Sequence, residues 1–283
     1  MLWFGLILIA LAGLLVWLAK RAADKVLFMR ATETTKLGTL LETIKQVRDE
    51  LGGGPSELRE YVELKGTVRC DQPLKGELSG QAAAVVETSV VRETEFMRED
   101  RDANGRVTQH WETRSESVHQ TSLKTPFVLD DGTGQIEVRA DGADFTLQQV
   151  VDRFEAPNSV EAGGSMLRFG SFQVGFGGGY GGYGSMGSNY RVKGYRFRES
   201  ILPVGGRVYA LGEIADTDEG LSLHKPTAAK EGETTKPYVL SVKSEEELVA
   251  AGQKNAKWLK IGGLATAVIG LVLVVVGLVQ RVL

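Results

Sequence analysis

Long apolar runs sit at both ends of this chain, and polar residues fill the region between them. Leu2 to Ala19 reads LWFGLILIALAGLLVWLA, about 18 residues without a charge, and a second run from Ile261 to Val279 has about 19 residues. At ~1.5 Å of rise per residue, such helices cover roughly 27–29 Å, close to the hydrocarbon core of a bilayer. The pattern predicts transmembrane helices over 2–19 and 261–279. Nothing basic precedes the first run, and Lys20 and Arg21 follow it directly, which fits a signal anchor better than a cleaved signal peptide. An amphipathic helical linker is predicted over 24–52, because Leu40, Leu41, Ile44, Val47 and Leu51 recur at helical spacing. Thr39 and Glu42 are its expected capping box, and Gly52, Gly53, Gly54 and Pro55 its stop.

From Tyr61 the period falls to two. YVELKGTVRC and AAAVVETSVVRETEF alternate like strands, and the second continues into a long polar hairpin with its tip at Asp102-Ala103-Asn104-Gly105. PFVLDDGTGQIEVRA reads as strand, turn, strand, and GYRFRESILPVGGRVYALGEIADTDEGLSLHKP as two or three more. A β-rich domain is expected over 58–243. It contains a glycine-rich loop at 163–188, where sparse aromatics sit in a tract too rich in glycine to order readily. Ser244 and Glu247 then form a capping box for a juxtamembrane helix over 244–260 leading into the second span. The expected fold is an α+β membrane protein: two transmembrane helices around a mainly antiparallel β domain. Glycines where a small barrel must bend point to an OB-like, partly closed barrel.

Composition narrows the chemistry. The net charge is -3 and the mean hydropathy -0.09, an average that hides the two apolar ends. No basic groove with stacking aromatics stands out, so nucleic-acid binding is not expected. One cysteine, Cys70, and three histidines offer no zinc-ligand spacing, and no cofactor is expected. G-x-G-x-x-G matches at Gly177, Gly179 and Gly182 lack the strand and helix that a dinucleotide site requires. Lys20, Arg21, Lys25 and Arg30 follow the first span and Lys254, Lys257 and Lys260 precede the second. The positive-inside rule therefore places the soluble domain on the cytoplasmic side and both termini outside. Gly262, Thr266 and Gly270 recur every four residues on the second span, with Gly277 seven further on, a small-residue face suited to helix association and to a homo-oligomer.

Three blocks in order between the two spans, VELKGTVRCDQPLKGELSGQAAAVVETSVVRE, TPFVLDDGTGQIEVRADGAD and GYRFRESILPVGGRVYALGE, resemble the GIDE or BAM ("beside a membrane") domain. That domain is the membrane-adjacent part of the mulan-type mitochondrial RING ubiquitin ligases and their chloroplast-envelope relatives. The resemblance rests on Asp130, Asp131 and Gly134 of the DDGTG turn and on Gly194, Tyr195, Arg196 and Glu199 with Leu202 and Pro203. It implies that these nine residues form family motifs or a partner-binding patch, with no catalytic residue among them. For Arg196 and Glu199 the plainer reading is an ion pair on a strand surface. Family ligases carry a RING zinc module after the second span, whereas four residues follow it here, so the chain is similar to RING-less prokaryotic members. In the mitochondrial ligase the domain faces the intermembrane space, opposite to the charge rule's reading here. The expected function is a binding or scaffold module at the membrane surface, not an enzyme, with protein partners at the membrane. A pore-like or membrane-shaping oligomer is one alternative, and a ligase-family protein needing a separate RING partner is another.

Overall fold

The computed structural model describes residues 2–50, 58–102, 105–163, 166–170, 172–175, 189–217, 220–227 and 234–282. Three helices are α1 (Leu2–Ala31), α2 (Leu37–Glu50) and α3 (Glu245–Val282). The first strands are β1 (Arg59–Arg69), β2 (Leu74–Lys75), β3 (Ala82–Arg101), β4 (Val107–Lys124), β5 (Phe127–Asp130), β6 (Gln135–Val138) and β7 (Asp144–Thr146). They continue as β8 (Gln148–Glu155), β9 (Glu161–Gly163), β10 (Met166–Phe169) and β11 (Phe172–Gly175). The last are β12 (Tyr190–Pro203), β13 (Arg207–Thr217), β14 (Gly220–His224) and β15 (Val239–Ser241). Two compact units result, one of Met1–Thr67, Leu129–Thr146 and Arg207–Leu283, the other of Val68–Val128 and Leu147–Gly206.

The first unit holds the helices and a partly closed barrel. Its sheet runs β1-β5-β6-β14-β13-β15-β7, and β1 also pairs with β13, from Arg59 opposite Ala215 to Thr67 opposite Arg207. Val62, Leu64, Leu129, Ile136, Val138, Ile214 and Leu223 are all buried, as alternate residues of strands wrapped around a common interior must be. The opposite faces of β13 and β15 carry Tyr209, Leu211 and Val239, which pack with Val26 and Met29 of α1 and Val249 of α3. The barrel therefore rests directly on the helix pair. A polar cluster lies beside this contact. The carboxylate of Glu63, only 1% exposed, accepts from the hydroxyls of Thr34 and Tyr209 and stands 3.0 Å from Lys65 Nζ, which also meets Glu245 at 2.9 Å. Burial, followed by the Glu63 charge, pushes the Tyr209 hydroxyl well above the usual phenol range.

Both terminal helices are long and apolar enough to cross a membrane by length and composition. The first runs past Ala19 to Ala31, since nothing between Lys20 and Arg30 breaks a helix. The chain turns at Thr32–Lys36, and α2 then begins at Leu37. Its start differs from the expected Thr39–Glu42 capping box. Thr39 is inside the helix, its carbonyl accepting from Thr43, while the first amides are met from outside, as described below. The Gly52-Gly53-Gly54-Pro55 stop lies outside the described residues. Ser244 and Glu247 do cap α3 reciprocally, at 3.1 and 3.4 Å, and α3 continues unbroken through the apolar run. Against it, α1 buries Gly5, Ala12, Ala19 and Val26, and α3 buries Val249, Ala256, Gly263, Gly270 and Gly277. Both series step by seven, the interval that keeps one seam facing its partner along two helices.

The second unit is a five-stranded sheet in the order β2-β3-β12-β8, with β4 on the outer side of β3. β3 and β4 make the long polar hairpin, turning through Gly105 at φ 81°; Ala103 and Asn104 at its tip lie outside the described residues. One face of this sheet is covered by the small sheet β11-β10-β9. Leu167 and Phe172 of that layer pack on Val90, Tyr195 and Phe197, and Phe169 stacks on Phe197 at 4.6 Å. This corrects part of the expected loop at 163–188, because β10 and β11 pair from Met166 opposite Gly175 to Phe169 opposite Phe172. Apolar residues at each end of that stretch order it. Its continuation, with Phe176, Tyr180 and Tyr183, lies outside the described residues.

Candidate functional site

Strand alternation in β12 sorts its side chains into two sets. Tyr195, Phe197 and Glu199 are buried on the covered side, while Arg196 and Arg198 point to the open side. There they meet acids from the neighbouring strands. Arg196 reaches Asp152 of β8 at 3.1 Å and Glu93 of β3 at 3.5 Å, and Arg198 stands 3.6 Å from Asp152. A bulge between Val192 and Gly194 keeps the series going past the irregularity. Lys193 approaches Glu93 and Glu95, and Arg191 binds Glu95 at 2.7 Å. Aromatic rings flank the ladder on the outer strands, Trp111 on β4 and Phe154 on β8. Arg191 lies 4.4 Å over the Trp111 ring, Arg196 5.5 Å over Phe154, and the two rings are 38% and 39% exposed. The hydrogen bond with Arg196 holds the Asp152 carboxyl below the usual range, and Asp152 in return raises the Arg196 guanidinium.

The expected pairing of Arg196 with Glu199 is therefore corrected. Three positions apart on a strand, the two lie on opposite faces. Glu199 is 0% exposed and accepts the amide N–H groups of Leu78 at 2.7 Å and Ser79 at 3.1 Å. It organises the turn between β2 and β3. Gly194 has no room for a side chain: a Cβ there would fall 2.4 Å from the Glu155 carbonyl oxygen and 2.5 Å from the Phe154 ring. Leu202 is buried, and Pro203 ends β12 at a second irregularity, where its carbonyl accepts from Gly206. Of the GYRFRES block, Arg196 alone among the expected site residues faces the open ladder.

In the first unit the DDGTG turn is a socket for α2. Asp131 accepts from Leu37 N–H at 2.8 Å with one carboxylate oxygen and from Thr133 and Gly134 with the other, while Gly38 N–H donates to the Thr133 hydroxyl at 2.9 Å. Asp130 braces the same turn, accepting from Gly132 N–H and the Gln135 amide. Gly134 lets the helix come close, since a Cβ would sit 2.7 Å from Leu41 Cδ1. At the other end of α2, Arg48 makes a bidentate pair with buried Asp216. Burial works to raise the Asp131 carboxyl, but the donors from Leu37, Thr133 and Gly134 outweigh it and hold it below the usual range. A depressed folded value adds stability that is complete above the unfolded aspartate value and is lost as pH falls through the folded one. Asp131→Asn should lower the neutral-pH stability by about 1 kcal/mol, the group being partly exposed. The variant should also flatten the acid limb of a melting-temperature profile, and an unchanged limb would count against this socket.

The helix-association residues are distributed unequally. Gly270 lies in the seam with α1, its missing Cβ 3.0 Å from the Gly5 carbonyl oxygen. Gly262 has open space around it, and the Thr266 hydroxyl donates to the Gly262 carbonyl within α3 at 2.8 Å. Sequence reading missed Glu93, Trp111, Asp152 and Phe154. The signal for them was the alternation of each strand, readable only once the neighbouring strands are known. Cys70 is half-buried near the Pro126 carbonyl. Among the described residues, no group of three or more His, Cys, Asp or Glu is placed to hold a metal ion.

Comparison with known proteins adds an independent line. The sequence model of the GIDE family, described as E3 ubiquitin ligase, matches residues 96–277. A curated relative, E3 ubiquitin-protein ligase SP1 of Arabidopsis thaliana, is 25% identical over 259 residues, which cover 90% of this chain. The match spans 65% of that relative's length. No solved structure matches the chain.

Proposed function

The chain belongs to the GIDE family of E3 ubiquitin ligases, and from that premise we propose that it is a two-pass membrane protein whose β region binds protein partners at the bilayer surface. In this reading α1 and α3 cross the membrane, and the basic residues flanking them keep the β units on the cytoplasmic side. Its contribution within a ligase-type family is to hold partners, with no residue of the β units acting in catalysis. The observation that carries the reading is the open ladder of the second unit, where Arg191, Arg196 and Arg198 alternate with Glu95, Glu93 and Asp152 between exposed Trp111 and Phe154. Tryptophan and arginine dominate the energetics of protein interfaces, and charges of both signs set register and exclude wrong partners.

The test is co-purification from membranes after proximity labelling, using the full chain with Trp111→Ala and Arg191→Glu. Loss of hot-spot contacts of ~2 kcal/mol each should lower recovery of the labelled partners by at least about tenfold, with melting temperature unchanged. An identical labelled set from the wild type and the variant would remove the ladder as the binding surface.

A further inference from the structure

The first unit contains a cavity of about 680 Å³ that the ladder does not involve. It begins at Trp17, Lys20, Arg21 and Lys25 of α1 and is closed on the barrel side by Gly142–Asp144, Lys225 and the segment Thr234–Tyr238. Five cations line it, Lys20, Arg21, Lys25, Lys225 and Lys236, against two carboxylates, Asp24 and Asp144. Of these acids, Asp144 is paired with Lys25. Of the other cations, two rest on rings: Arg21 lies 5.8 Å over Trp17 and Lys236 5.1 Å over Tyr61. The wall is built rather than fortuitous. Tyr61 donates to the Pro237 carbonyl at 2.7 Å and Tyr238 to the Arg139 carbonyl at 2.8 Å, fixing the segment that carries Lys236. Gly142, at φ 74°, lets the Lys225 chain lie across its turn, since a Cβ there would fall 2.9 Å from Lys225 Cδ.

Position decides the ligand. Lys20 and Arg21 come directly after the charge-free run, so one rim of the cavity stands where the apolar helix surface ends. Trp17, 55% exposed, marks the same level, as interfacial aromatics do. We propose that this cavity binds the phosphate-bearing headgroup of an anionic phospholipid in the leaflet beside the barrel. Lysine and arginine clusters recognise phosphate as point charges and planar donors, and a volume of this size is within the range of small-ligand sites. The chemistry recognised is a phosphate ester anion; its place against the apolar surface selects the lipid over a free solute. The proposal rests on α1 lying in a bilayer, which carbonate extraction of the same membranes reports separately.

The experiment uses the full chain, purified in mild detergent and mixed with equal amounts of phosphatidylglycerol and phosphatidylcholine, with native mass spectrometry counting retained lipids. Wild-type protein should retain phosphatidylglycerol in at least tenfold excess, and Lys225→Glu with Lys236→Glu should abolish that preference. Lys45→Glu with Lys75→Glu makes the same charge change elsewhere on exposed residues and should retain the preference. Lys225→Gln with Lys236→Gln, monitored by thermal melting, guards against misfolding and should still cut the preference severalfold. Equal loss in the control pair, or none in the cavity variants, overturns the site. Displacement of bound lipid by millimolar glycerol 3-phosphate at equal affinity overturns the lipid as its occupant.

Discussion

Replacing Glu199 by alanine should cost the second unit about 3 kcal/mol and release the turn between β2 and β3. The carboxylate is fully buried and is the acceptor for two backbone donors, Leu78 N–H and Ser79 N–H. Each buried amide left without an acceptor costs ~1–3 kcal/mol, well above the net value of a hydrogen bond that is made. Relaxation has little to offer, since the nearby chain has already closed in: a Cβ on Gly76 would fall 2.5 Å from Glu199 Oε1. Glu199→Gln retains one carbonyl acceptor and should lose roughly half as much. Hydrogen exchange in the intact protein reads the effect directly. Protection at Leu78 and Ser79 should collapse in the alanine variant and fall partially in the glutamine variant. Retained protection at both amides would show that the carboxylate is not what holds the turn.

Gly270→Ile should damage the helix pair, and Gly262→Ile should be close to silent. At Gly270 the added Cβ would stand 3.0 Å from both the Gly5 carbonyl oxygen and Ile9 Cγ1, and 3.1 Å from Leu8 Cβ. Backbone oxygen cannot step aside as a flexible side chain can, so the helices must separate, at about 1–3 kcal/mol for overpacking. Gly262 has nothing within 4 Å of its missing Cβ. With Cys70 changed to serine, cysteines placed at Ala12 and Gly263 should cross-link readily in the parent. The rate should drop at least about tenfold with Gly270→Ile and remain unchanged with Gly262→Ile. Equal behaviour of the two isoleucines would remove the seven-residue seam.

How far these features can be read from sequence depends on the distance between the residues concerned. The apolar ends and the Ser244–Glu247 cap are local and legible, as is the alternation of β1 and β3. Gly270 could be singled out as a small residue, but steps of four pick Gly262 and Thr266 as its companions. The seam runs by sevens, through Gly277 as read but through Ala256 and Gly263 on the other side, because its partner face on α1 carries Gly5, Ala12 and Ala19. A helix read without its partner does not reveal which of its small-residue faces will be covered. The α2 start fails for a similar reason: the cap is Asp131, 94 residues from Leu37. Arg196 finds its acids 44 and 103 positions away, across strands whose order no local pattern discloses. The two units are also interleaved, since the chain leaves the first at Thr67, returns at Leu129 and leaves again after Thr146. Periodicity cannot report such a path.

Once in a bilayer, α3 would act as a lever. Its 38 residues make a rod of roughly 57 Å, about twice the hydrocarbon thickness, with no break between Val249 at the barrel and the far end of the apolar run. A helix adjusts to a thinner bilayer by leaning. The seam obliges α1 to lean with it, and the barrel, packed on both through Tyr209, Leu211 and Val239, has no independent hinge in α3 to absorb the motion. With both helices in a bilayer, a change in its thickness or curvature would thereby be converted into rotation of the barrel against the membrane plane.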